Sequence, residues 1–158
     1  MCAHPTQFLT VMLGAAIAVW GADPIIGTWN LNLTKSKFNP GPPPKSETRI
    51  YQELVPKGIK VTFTTIDADG KSTSIELPTN EDGKDYHIIG PGPADTIVMT
   101  KIDSVTAEAV LKHGDTVIGV ARRVISSDGK TMTITYKGTD MDSRQVNNIE
   151  VYEKKQKE

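Results

Sequence analysis

One cysteine is present in 158 residues, Cys2, so no intramolecular disulfide can form and no thiol pair is available for redox chemistry. Histidine is almost as scarce, with His4, His87 and His113 the whole supply. Zinc and haem sites draw on several converging ligands, so this supply argues against a metal or haem centre, and no cofactor is expected. No His-Glu-x-x-His, Gly-x-Ser-x-Gly or phosphate-loop pattern occurs, so no catalytic constellation is legible and no enzyme activity is expected. Charge of either sign is not in excess. Eighteen Lys and Arg face nineteen Asp and Glu, a formal net charge of -1, which gives no field for a nucleic-acid partner. A convincing helical period is also missing.

What is there begins with one apolar run, residues 8–20, followed by Gly21-Ala22-Asp23-Pro24. It is shorter than the ~20 apolar residues of a membrane span and has the length and small-residue exit of a secretory signal. Residues 1–22 are therefore read as a signal peptide cut after Ala22, leaving no stable membrane span, with a retained N-terminal anchor helix as the alternative. Cys2 precedes the run, so it is not a lipoprotein cysteine and leaves with the signal. Export without disulfides points to a bacterial periplasmic or secreted protein. Residues 23–154 are one domain's length, and 155–158 read as a polar tail with charges of both signs.

That domain alternates apolar and polar residues in short segments punctuated by Gly, Pro, Asn and Asp. Trp29, Leu31 and Leu33 share one face of the first, and Ile59, Val61 and Phe63 one face of the third. About ten strands are expected, over 25–33, 47–54, 59–67, 71–79, 85–89, 96–101, 104–112, 116–126, 130–136 and 145–153. His113-Gly114-Asp115 and Ser127-Asp128-Gly129 have hairpin chemistry. Connections this short cannot make parallel crossovers, so the fold class is an all-β, antiparallel, closed or nearly closed meander barrel. One long irregular stretch, 35–46, carries Pro40, Pro42, Pro43 and Pro44. It forbids helix and ladder strand alike and is placed across one end of the barrel.

Ile26-Gly27-Thr28-Trp29-Asn30-Leu31 resembles the Gly-x-Trp opening of the calycins, the lipocalins and fatty-acid-binding proteins. Thr133-Ile134-Thr135-Tyr136-Lys137-Gly138 and Val151-Tyr152-Glu153-Lys154 are similar to the last two strands of fatty-acid-binding proteins. The resemblance implies a calycin-like barrel, plugged at one end by Trp29, that encloses a small ligand. Three departures count against a fatty acid. The Pro-rich stretch stands where that family has a helical lid. Glu150 stands where a carboxylate-binding Arg is expected, two before Tyr152. A second family Arg falls near Arg122 or Arg123, of which only one can face inward. Parity leaves the last strand open, since either Ile149 and Val151 or Glu150 and Tyr152 can point to the interior.

The expected function is thus binding of a small apolar or amphipathic ligand by an exported monomer. The candidate ligand-binding residues are Trp29, Arg122, Arg123, Tyr136, Glu150 and Tyr152. An Arg inside an apolar strand demands an anionic partner, and Glu150 is the internal candidate. Small residues at Thr64, Ala107, Ala109, Gly119, Ala121, Thr133 and Thr135 suggest a cavity of ~300–1,000 Å³. The alternative is a structural or protein-interaction barrel with a filled core.

Overall fold

A computed structural model describes residues 23–156. The proposed signal, residues 1–22, and the end of the polar tail lie outside the described residues. Ten antiparallel strands follow one another: β1 (Gly27–Leu31), β2 (Ser46–Glu53), β3 (Ile59–Ile66), β4 (Ser72–Thr79), β5 (Asp82–His87), β6 (Thr96–Lys101), β7 (Thr106–His113), β8 (Thr116–Ile125), β9 (Thr131–Thr139) and β10 (Gln145–Lys154). Each strand pairs with its chain neighbours, except β4 with β5, and β1 pairs with β10, giving the order β4-β3-β2-β1-β10-β9-β8-β7-β6-β5. The result is the expected all-β meander, nearly closed, with one unsealed seam between β4 and β5.

That seam has an identifiable construction. Among the described residues, β4 is joined to the segment just after β5 by one bridge, Glu76 with Ile89, at 2.8 and 2.9 Å. The bridge depends on Gly90, whose φ is +126° and whose added Cβ would lie 2.6 Å from the Ser74 carbonyl oxygen. Only a residue without a Cβ lets the two backbones approach there. At the tight β4–β5 corner, Glu81 adopts φ of 53°, uncommon outside glycine, and is buried. Its N–H donates to Thr79 Oγ1, its carbonyl accepts from Lys101 N, and its carboxylate enters the barrel.

The strand limits differ from the sequence expectation in two informative places. β1 stops at Leu31 because Asn32 turns the chain outward, held by Lys35 N–H to Asn32 O and by the Ser36 hydroxyl to the same oxygen. The chain then returns, Lys37 pairing with Ile149 and Asn39 O accepting from Asn147 N. The first part of the irregular stretch therefore extends the β10 edge instead of capping an end, because residues 37–39 carry free N–H and C=O groups that a ladder satisfies. β9 runs three residues beyond Tyr136, through Gly138, which pairs with Gly119 of β8.

The core sits at the Trp29 end. Trp29, Tyr152, Ile25 and Met132 are fully buried, and the Trp29 indole N–H donates to Ile25 O at 2.8 Å. An indole whose polar edge is satisfied this way can be withdrawn from water completely. Trp29 stands opposite Arg49 on β2, Arg49 opposite Phe63 on β3, and Phe63 opposite Ile75 on β4, so one row of inward side chains crosses four strands.

Candidate functional site in the barrel interior

β10 resolves its parity in favour of the polar pair. Tyr152 is fully buried and Glu150 largely so, while Ile149 is 39% exposed. The outer surface tolerates the aliphatic residues because the interior has use for the polar ones. Glu150 meets Arg49, whose Nη2 donates to Glu150 Oε2 at 3.2 Å and whose Nε donates to Glu47 Oε1 at 2.6 Å. The Tyr152 hydroxyl lies 2.8 Å from Glu47 Oε1 and from Glu150 Oε2, so one phenolic proton is shared between two carboxylates. Thr65 donates to the second Glu47 oxygen and Asn148 to the second Glu150 oxygen. Arg49 also lies over the rings of Phe63 and Tyr152, at 5.0 and 4.8 Å from their centroids.

Burial by itself would raise the Glu47 carboxyl, but the Arg49 charge and the hydrogen bonds from Tyr152, Arg49 and Thr65 bring it below its ordinary value. Burial opposes the charge of Arg49, and the field of Glu47, Tyr152 and Glu150 outweighs it and holds the guanidinium protonated. Burial pushes the Tyr152 phenol well up, with the two carboxylates adding to the shift against the opposing charge of Arg49. The cluster is thus a buried ionic network, with its cation bracketed by two anions.

The adjacent arginines of β8 divide as strand parity requires. Arg122 is half exposed and pairs with Glu108 on the outer wall. Arg123 points inward, is 6% exposed, and its Nη1 donates to Glu81 Oε1 at 2.8 Å. The expected pairing with Glu150 does not form. Arg123 faces Ile134 on β9, and Ile134 in turn faces Glu150 on β10, so two strand spacings separate the groups. The expectation of an inward Arg with a carboxylate partner holds; the identity of that carboxylate is corrected to Glu81. Arg122, an intended ligand residue, belongs to the outer surface.

Arg49, Tyr51, Arg123, Tyr136 and Glu150 share one cavity of about 180 Å³ with an otherwise apolar wall that includes Val61, Leu77, Ile97, Ala107 and Ala109. Tyr136 lies across the Gly119–Gly138 pair. A Cβ at either glycine would meet its hydroxyl at 2.5 Å, so the ring needs both positions empty. Its hydroxyl donates to Thr139 O at 3.1 Å, and burial followed by the Asp140 charge raises its pKa. Trp29 and Tyr152 do not line the cavity; both belong to the buried core, and Tyr152 joins the ionic network. His87 is exposed, away from any interior role.

The cavity is smaller than expected. Ala107, Ala109 and Ala121 line it, as their size suggests, but Thr64, Thr133 and Thr135 do not. Thr133 stands opposite Val124, and Thr135 opposite Arg122 and Ile149, on the outward side of the sheet. Three of the seven small residues, the threonines, thus remove bulk from the wrong face. Sequence reasoning missed Arg49, Glu47 and Glu81. For the first two the signal was present: Glu47, Arg49 and Tyr51 alternate, as any inward set must. For Glu81 there was none, since its direction follows from the corner geometry.

These features define a nearly closed ten-stranded antiparallel barrel whose interior charges are paired with one another beside a small apolar cavity. No protein-family profile matches the chain, and no curated protein sequence does.

Proposed function

We propose that the protein is an exported, monomeric, small-molecule-binding barrel of the calycin type, a binder and not an enzyme. The observation that carries this reading is the apolar-walled cavity of about 180 Å³, with a buried guanidinium in its wall. Calycin membership rests on the strand order, the buried Trp29 at the entry to β1, and the Tyr136 and Tyr152 strands. Binding is favoured over catalysis because Arg49, Glu47, Glu150, Arg123 and Glu81 are engaged with each other, which fixes them in place. Export to the periplasm or medium rests on the apolar run 8–20 and its small-residue exit.

The size of the cavity limits the ligand. Pockets for drug-sized molecules run to ~300–1,000 Å³, whereas a buried apolar cavity of about 150 Å³ accepts benzene. This interior therefore suits a body of about one ring and is too small for a long-chain fatty acid. Enclosing roughly 150–200 Å² of apolar surface contributes about 4–5 kcal/mol, a Kd of roughly 0.2–1 mM for an undecorated ring.

A second reading, the filled barrel that acts through its surface, is favoured by one observation. The ionic network and the Trp29 cluster occupy the interior and leave little room. Titration of the isotope-labelled protein with toluene separates the two by NMR. Saturable shifts at Ala107, Ala109 and Ile134 support the binder; no saturable response transfers the function to the surface. Mass spectrometry of the exported protein tests the address, with Asp23 expected as its first residue.

A further inference from the structure

We infer that the cavity selects an uncharged ligand bearing a hydrogen-bond acceptor, a ketone or similar carbonyl on a one-ring apolar body, and discriminates against carboxylates. The inference rests on the binding reading above and specifies its ligand chemistry. Two observations carry it.

The first is the charge inside the wall. Among the described residues, the cations that line the cavity are Arg49 and Arg123, and each already has a carboxylate partner. Against these two stand three carboxylates, Glu47, Glu81 and Glu150, so the paired groups carry one formal negative charge in excess. A ligand carboxylate entering here finds no uncommitted guanidinium. It would have to displace Glu81 from Arg123, or Glu150 from Arg49, and leave that carboxylate buried without its partner. An anion is therefore rejected by the same groups that, unpaired, would attract it.

The second is an unmet donor. Arg123 Nε is fully buried and has no hydrogen-bond partner among the described residues, although Nη1 of the same group is bound to Glu81. Arg123 lines the cavity, and its guanidinium sits over the Tyr51 ring at 5.6 Å, which limits its freedom to turn elsewhere. A buried N–H without an acceptor is costly, and a hydrogen bond to a charged donor is worth more than one between neutral groups. A neutral carbonyl oxygen satisfies that N–H without competing for the Glu81 ion pair. A hydrocarbon of equal size fills the space and leaves the donor unmet.

Three one-ring probes of matched shape read this directly: acetophenone, cumene and benzoate, titrated at pH 7 with amide shifts of the cavity wall as the signal. Acetophenone should bind at least about tenfold more tightly than benzoate, and more tightly than cumene. Two variants locate the cause. Arg123→Lys keeps a cation for Glu81 but not the Nε–H. Arg123→Met with Glu81→Leu removes the whole pair without stranding a charge. Either should abolish the preference for acetophenone over cumene while cumene still binds. Benzoate binding as well as acetophenone overturns the inference, as does an acetophenone preference that survives both variants. Cumene binding with no preference leaves the binding barrel standing and removes only its specificity. If none of the probes binds, the binding reading itself falls, and the inference with it.

Discussion

Arg49→Met is the substitution that most sharply separates the interior charges from the surface ones. Methionine retains much of the aliphatic stem but removes the guanidinium from between Glu47 and Glu150. Their side chains are only 12% and 13% exposed, so two carboxylates are left together with no cation and little water. Breaking a buried pair by deleting one partner costs about 3–5 kcal/mol. The lost contacts with the Phe63 and Tyr152 rings add about 0.5–1 kcal/mol. Arg122→Met is the internal control, because Arg122 and Glu108 are each about half exposed and such a pair is worth about 0–1 kcal/mol. A loss of about 4 kcal/mol is a large share of the ~5–15 kcal/mol that holds a domain together. At an m-value of about 2 kcal/mol/M, it lowers the urea midpoint by about 2 M, against less than about 0.5 M for Arg122→Met.

The pH dependence checks the mechanism as well as the size. The folded-state pKa of Glu47 is depressed from its ordinary 4.5, so its contribution is fully present above that value and is lost as the pH falls through the lower folded value. Without Arg49 the cause of that depression is removed, and protonation of Glu47 relieves the repulsion. The gap between wild type and Arg49→Met should therefore narrow from pH 7 to pH 4. Equal midpoints for Arg49→Met and Arg122→Met at pH 7, or a gap that widens in acid, would refute the account of a buried cation bracketed by two anions.

Gly90→Ala should weaken the single bridge of the β4–β5 seam, since the new Cβ would meet the Ser74 carbonyl at 2.6 Å. A loss of about 1–3 kcal/mol is expected, with faster amide exchange at Glu76 and Ile89 and little change on β8 and β9. Gly119→Ala should displace Tyr136, whose hydroxyl would lie 2.5 Å from the added carbon. Repacking costs about 1–3 kcal/mol, and the displaced ring should change probe affinity more than Gly90→Ala does. Equal effects of the two on binding would show that the Tyr136 seat does not shape the cavity.

The architecture was legible because it depends on period and punctuation. Ile59, Val61 and Phe63 alternate regardless of their partners, and Gly/Asp corners fix hairpins locally, so ten antiparallel strands could be counted before any pairing was known. The return of residues 37–39 to the edge of β10 was not legible. It depends on an outward turn at Asn32, a side chain competing with the ladder for local backbone groups. Proline density marked that segment as irregular but carried no information about which strand its first residues would find.

The interior chemistry was legible only as parity. An inward Arg at 123 rather than 122, and a buried Glu150 beside Tyr152, each follow from a two-way choice that one burial decision settles. Partner choice is different in kind. Glu150 belongs to Arg49, because β1 leaves the wall at Leu31 and the long guanidinium reaches across to β10. Glu81 belongs to Arg123, because a corner residue at positive φ directs its carboxylate into the barrel. Both pairings join segments distant in the chain, and neither has a local signature. They also change the chemistry that the residue types suggest. Two buried arginines in a small barrel look like anchors for an anion. Paired as they are here, they supply order and one unmet N–H, and that remaining donor favours a neutral acceptor over a carboxylate.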